Sequence, residues 1–334
     1  MRYQNNLAGH KIQCTICPRN CKLSEGQRGF CHIRQNIDGH VVMTSYGYNT
    51  GLAIDPIEKK PLFHFYPGTK VLSFGTLGCN MGCQFCQNWQ TTKSRTDVKT
   101  LSHNEPEEIA ELAVKYGCKS VAFTYNDPVI FFEYAIDTAI ACQKKGIKTV
   151  AVTAGYINPE PRREFFQHID AVNVDLKGFS EEFYQKNCLA RLEPVLDTLR
   201  YIKDKTRCWL EVTTLLIEGE NDSDEMLAAE CDWFVKHLGI NVPLHFSAFH
   251  PDYKMLEKGI TKVSTLKRAY NIAKKAGIKY VYTGNVLDEA TETTYCSHCG
   301  HPIIKRVGYD IVEYDLTNEG HCAFCYEECA GVFE

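Results

Sequence analysis

From residue 70 onward, short β-branched or apolar runs alternate with longer amphipathic stretches. The runs at 70–75, 120–124, 149–153, 171–175, 209–214, 244–247 and 279–282 are rich in Val, Ile, Thr, Phe and Tyr, which suit a pleated, half-buried surface. Between them, 106–116 places Ile109, Leu112, Ala113 and Tyr116 at helical spacing and stops at Gly117. The stretches 128–145, 222–238 and 264–276 stop in the same way, at Gly146, Gly239 and Gly277. A glycine just past the last periodic residue lets the chain leave a helix in a left-handed turn without a Cβ penalty. Strand, helix, strand in this order predicts right-handed βαβ crossovers and a parallel sheet. Six or seven such units between 70 and 290 predict an α/β fold closing as a partial (β/α) barrel, with a flat doubly wound sheet as the rival. No internal repeat is evident.

A chain of 334 residues suits one large domain with appendages, or two domains. The pattern divides it into an N-terminal module and linker (1–69), the barrel (70–290) and a C-terminal module (291–334). The formal charge is −4, and the lysine pairs at 59–60, 144–145 and 274–275 are scattered rather than gathered in a stripe. Phosphate neutralisation needs a basic surface, so nucleic acid is not an expected partner. No apolar run approaches the roughly 20 residues of a membrane span, and the start MRYQNNLAGHKIQC has no apolar signal stretch. The expectation is a soluble, cytoplasmic protein without a membrane partner.

Seventeen cysteines change the picture. Disulfides suit small secreted domains, whereas this chain is large, its cysteine count is odd, and most of its cysteines are clustered at short spacing. Metal ligation is the better reading. The first cluster is Cys14, Cys17, Cys21 and Cys31; the second is Cys79, Cys83 and Cys86; the third is Cys296, Cys299, Cys322, Cys325 and Cys329. Cys118, Cys142, Cys188, Cys208 and Cys231 stand alone and read as small buried hydrophobes.

Cys79, Cys83 and Cys86 form CxxxCxxC in a glycine-flanked loop directly after the first barrel strand, where β/α barrels place their chemistry. Structural zinc wants four ligands, commonly in paired CxxC knuckles, so three at this uneven spacing fit it poorly. A cubane iron–sulfur cluster has four irons that each need an outside ligand. Three thiolates leave one iron open for a substrate or cofactor. The plainer alternatives are a zinc knuckle that borrows a fourth ligand, or three free thiols.

With Gly78, Phe85 and Asn88 around it, GCNMGCQFCQNW resembles the cluster loop of radical S-adenosylmethionine (radical SAM) enzymes, in the branch that includes pyruvate formate-lyase activating enzymes. TYNDP (124–128), VTAGY (152–156), VDLK (174–177) and FSAFHPDYKM (246–255) resemble later segments of that branch, in order. A narrower resemblance covers nearly the whole chain. CxxCPRxC…GQRGFC, DPIEKKPLFHFYPGT, the cluster loop, TYNDP and a C-terminal double CxxC are together similar to AmmeMemoRadiSam-system radical SAM enzymes.

The resemblance implies a [4Fe–4S] cluster on Cys79, Cys83 and Cys86, with S-adenosylmethionine chelated at the open iron and cleaved reductively to a carbon radical. It places Phe85 near the adenine and Thr124, Tyr125, Asn126 and Asp127 along the methionine amino end. Thr153, Asp175 and Lys177 would approach the carboxylate or ribose, and His250 the far wall. It also implies an electron donor and a Memo-like or AMMECR1-like partner or substrate. The rival activity is activation of a glycyl-radical enzyme. Each residue has a structural alternative: Asp127-Pro128 reads equally as a helix N-cap with a first-turn proline, Asp175 and Lys177 as a salt bridge, His250 as scaffold. Two departures stand out. Asp127 is one methylene shorter than the family's glutamate, and Val152 stands where activating enzymes carry an acidic residue that helps bind a monovalent cation.

The flanking modules have their own ligand patterns. Cys296, Cys299, Cys322 and Cys325 form two CxxC knuckles, which favours structural zinc over an auxiliary cluster. Cys14, Cys17, Cys21 and Cys31 supply four thiols within 18 residues, for zinc or some cluster alike. The linker DPIEKKPLFHFYPG, with prolines at 56, 61 and 67, reads as an extended solvated loop that could equally cover the site's mouth.

Overall fold

All seven apolar runs become strands of one sheet in the computed structural model, which describes residues 3–333. An edge strand β1 (Ala53–Pro56) pairs antiparallel with β2 (Lys70–Phe74). Then follow, all parallel, β3 (Ser120–Phe123), β4 (Lys148–Thr153), β5 (Ala171–Asp175), β6 (Trp209–Leu216), β7 (Leu244–Ala248) and β8 (Val281–Gly284). Each strand neighbours the next in the chain. That monotonic order belongs to a (β/α) barrel; a doubly wound sheet would reverse direction part-way. The inner strands are apolar on both faces, as in Ser120–Phe123, where every residue is buried.

The crossover helices are α1 (Pro106–Lys115), α2 (Phe132–Lys144), α3 (Pro159–Phe166), α4 (Glu193–Lys205), α5 (Asp224–His237) and α6 (Val263–Lys275). Capping sets where they start. In α1, Pro106 occupies the first turn and Glu108 reaches back to the backbone N–H of Glu105 (2.9 Å). Ser223 caps α5 by accepting from the Met226 N–H. The predicted helix 128–145 divides instead into a 3-10 turn, Pro128–Phe131, followed by α2. The sequence reading passed over α3 and α4, although Val195, Leu196, Leu199 and Ile202 give α4 a buried stripe at helical spacing.

The N-terminal residues form a small antiparallel sheet (Gln4–Asn6, Ile12–Cys14, Lys22–Leu23) and a hairpin (Arg34–Ile37 with His40–Met43). Ile12, Ile16, Leu23, Ile33 and Val41 belong to the same apolar core as the barrel. The C-terminal residues form another antiparallel sheet (Thr294–Tyr295, Pro302–Val307, Asp310–Tyr314) with a smaller core that takes in Phe63, Tyr280 and Tyr282.

The linker departs from the solvated loop expected of it. Ile57, Glu58, Leu62, Phe63, His64 and Phe65 are all buried. The fully buried Arg306 donates to the Phe63 carbonyl (2.7 Å) and lies 3.7 Å from Glu58, while Glu211 accepts from the N–H groups of Phe63 and His64. Asp55, Glu58 and Lys60, which read as solvent-facing, are thus buried against charged partners, while Lys59 stays exposed.

Candidate active site

The loop after β2 carries Cys79, Cys83 and Cys86, and tertiary ties fix its shape. Gly78 sits at φ +81°, and a Cβ there would run into the Cys31 carbonyl, so the N-terminal module presses directly on the loop. The buried Asn126 accepts from the Thr76 N–H (3.1 Å) and donates to the Thr76 hydroxyl and the Gly78 carbonyl (3.0 Å each). On the other side, the N–H groups of Gly82 and Gln84 donate to the carbonyls of Cys188 and Asn187.

The three cysteines open onto a cleft of about 380 Å³ at the C-terminal ends of the strands. Phe85, Thr124, Tyr125, Asn126, Asp127, Thr153, Asp175 and Lys177 line the same cleft. His250 does not: its side chain is half exposed outside the cleft, with Nδ1 4.0 Å from Asp252. Lys59 and Lys60 also line it, in keeping with the alternative that the linker covers the site's mouth, and so do Met81, Thr213, Leu215, Ser247, Asn285 and Tyr309, which had no assigned role. Among these only the lysine pair was visible as a pattern. Met81 belongs to the cluster loop itself, Thr213, Leu215, Ser247 and Asn285 come from distant strand ends, and Tyr309 comes from the turn between two C-terminal strands.

Several lining groups are already committed to protein partners. Asp127 accepts from the Val129 N–H (3.0 Å), the Thr153 hydroxyl (2.9 Å) and the Ala154 N–H (3.1 Å), so it is both the expected cap and a tie between strand ends. Burial pushes its carboxyl up to about 6 against these donors. Asp175 and Lys177 form the expected salt bridge at 2.6 Å while facing the cleft. Burial works against the Lys177 charge, yet Asp175 and then Cys83 hold its pKa above the ordinary lysine value. Tyr125, in the left-handed region at φ +68°, donates to Asp55 (3.2 Å), which also pairs with Lys60 at 2.6 Å.

Cys188, read as an isolated hydrophobe, lies against Cys83, and its thiol hydrogen bond holds the Cys83 sulfur below the usual thiol range although burial opposes this. Burial instead pushes Cys79 up to about 12. Cys188 does not line the cleft. Among the described residues, Cys79, Cys83 and Cys86 are its only cysteines.

The radical SAM superfamily profile matches residues 74–231. Residues 74–231 thus carry a radical SAM domain. An uncharacterised protein of Methanocaldococcus jannaschii is 42% identical over 98% of this chain and 97% of its own length. A pyruvate formate-lyase 1-activating enzyme of Escherichia coli is 22% identical over 65% of this chain and 93% of its own. The crystal structure of a radical SAM methyltransferase from Sphaerobacter thermophilus shares the fold, with TM-score 0.51 and 16% identity over 66% of this chain and 67% of that one.

As a radical SAM enzyme, the protein is expected to use a [4Fe–4S] cluster and S-adenosylmethionine. The residues fit these groups. No three sulfurs of the cluster loop lie within 4.8 Å of one another, so they are not gathered about a single ion, yet all three face one cleft. The C-terminal cysteines, outside the radical SAM domain, behave differently. Cys296, Cys299, Cys322 and Cys325 have sulfurs all within 4.8 Å, with Cys296–Cys325 at 3.5 Å and Cys299–Cys322 at 3.8 Å. That is a metal-binding constellation. No helix among the described residues is long and apolar enough to cross a membrane.

Proposed function

We propose that Cys79, Cys83 and Cys86 hold the [4Fe–4S] cluster and that the cleft beside them binds S-adenosylmethionine for reductive cleavage. When bound, the cluster supplies one electron to the sulfonium, whose carbon–sulfur bond breaks to give a carbon radical. The observation that carries the reading is three cysteines of one loop opening together onto a cleft that no fourth cysteine lines, among the described residues. The chain's own groups then orient the ligand. The Asp175–Lys177 pair and the Thr124 and Thr153 hydroxyls offer polar contacts for the methionine and ribose ends, and the buried ring of Phe85 offers an apolar face near the adenine. Asn126 and Asp127 act as positioning residues, since their polar atoms hold strand ends and loop together. His250 has no place in this scheme.

The narrower assignment, an AmmeMemoRadiSam-type enzyme with a Memo-like or AMMECR1-like partner and a separate electron donor, rests on the sequence motifs. Zinc at the C-terminal knuckles is supported by sulfur spacings close to the roughly 3.8 Å that a tetrahedral Zn–S distance of about 2.3 Å imposes. The decisive experiment is anaerobic reconstitution, chemical reduction and chromatography of the products from S-adenosylmethionine. 5′-Deoxyadenosine is expected. Methylthioadenosine would mean that a different carbon–sulfur bond breaks, and neither product from a sample with an intact cluster would overturn the reading. A glycyl-radical signal on mixing with a glycyl-radical enzyme would establish the activating role instead.

A further inference from the structure

The four N-terminal cysteines reach the same wall from the opposite side. Cys14, Cys17, Cys21 and Cys31 line one cavity together with Ile16 and Ile130. Their sulfurs ring this space without converging: no three of them lie mutually within 4.8 Å, whereas all four C-terminal sulfurs do. The distinction is physical. A single tetrahedral ion draws four sulfurs to about 3.8 Å from one another and leaves no room between them. A cubane gives each thiolate its own iron at a separate corner, so the sulfurs stand apart around a core of appreciable size. The N-terminal arrangement is of the second kind.

The surroundings suit a buried anionic group. Backbone N–H groups of Ile16 and Arg19 lie near the sulfurs of Cys14 and Cys17, and those of Arg34 and Ile33 near that of Cys31. The buried Arg34 guanidinium stands beside the cavity, held by Glu133 and the Ile130 carbonyl. The ring is also braced against the barrel. The Asn158 amide donates to the carbonyls of Thr15 (2.7 Å) and Cys17 (3.1 Å), and Arg19 donates to the carbonyl of Asn80, next to Cys79.

We propose that Cys14, Cys17, Cys21 and Cys31 hold a second [4Fe–4S] cluster, ligated by protein at all four irons, directly behind the loop that carries Cys79, Cys83 and Cys86. With no open iron, it binds no S-adenosylmethionine. This inference stands on the sulfur geometry and is independent of what the cleft cleaves.

The test uses the full-length protein, reconstituted anaerobically with iron and sulfide and analysed for iron, acid-labile sulfide and zinc, with electron paramagnetic resonance after reduction. Wild type should carry about eight irons, about eight sulfides and one zinc per chain. The triple variant Cys79→Ala, Cys83→Ala, Cys86→Ala should keep about four of each of iron and sulfide together with a reduced-cubane signal. The double variant Cys17→Ser, Cys21→Ser should lose that half while keeping the circular dichroism of the wild type. Two zincs per chain, a two-iron signal, or a triple variant without sulfide would overturn the proposal. Failure of the active-site reading would show in the double variant instead, as a protein with no iron left at all.

Discussion

Two modules with four candidate cysteine ligands each flank the barrel, and they differ in almost everything except ligand count. In the C-terminal module the sulfurs close to within 4.8 Å of one another, two of the ligands (Cys299 and Cys325) are exposed, and a separate small core surrounds them. In the N-terminal module the sulfurs ring a cavity, Cys14 and Cys31 are buried, and the apolar residues merge with the barrel core. The C-terminal module is fastened largely by buried polar ties such as Arg306 to Phe63, whereas the N-terminal module presses its Cys31 carbonyl onto Gly78 of the cluster loop. Similar ligand sets thus serve different ends. One is arranged as a self-contained metal staple, the other as a part of the catalytic wall. Loading of the active site should therefore depend on the N-terminal module far more than on the C-terminal ligands.

The largest expected effect would break this comparison outright. Cys83→Ala should abolish cleavage of S-adenosylmethionine and leave zinc content unchanged, whereas Cys299→Ser should lower zinc and leave iron at the cluster loop intact. Product chromatography with metal analysis reads both, and equal iron loss in the two variants would erase the contrast. A smaller effect sharpens it. Arg34→Met removes the charged hydrogen bonds to Glu133 and the bond to the Ile130 carbonyl, and should lower stability by about 2 kcal/mol, with Glu133 half-exposed and so partly rescued by water. Denaturant titration measures that loss, and faster iron release from the cluster loop should accompany it. The smallest effect is a control. Cys118→Ala, at a buried thiol outside every cluster, should cost about 1 kcal/mol in stability and leave product yield unchanged.

Much of the fold was legible because it is written locally. The seven strands follow from β-branched runs, and most of the helix starts and stops from prolines, glycines and capping residues within a few positions of each boundary. The loop cysteines were legible for the same reason, being crowded into eight residues. The partners of the site residues were not. Asp127 was readable as a cap for Val129, yet its bonds to Thr153 and Ala154 join it to the next strand's end. Cys188 carried no spacing signal, since it meets Cys83 only through a turn far along the chain. His250 illustrates the converse. Its segment follows β7 as expected, but the chain turns so that its side chain faces solvent beside Asp252. The linker's charges misled for a related reason: Glu58 is solvent-like in composition, and its buried carboxylate faces Arg306, brought from far along the chain, and accepts from the Gly68 N–H (2.9 Å).

The sequence by itself determined the ladder of parallel strands, the loop on which three thiols sit, and which cysteines belong to each group, because hydrophobic period and ligand spacing act between near neighbours. Only the tertiary structure decided how far apart the sulfurs of each group stand, and which module lies behind the cluster loop. Those distances are set by the packing of segments remote in the chain, and a sulfur–sulfur separation is what distinguishes a seat for one ion from a seat for a cubane.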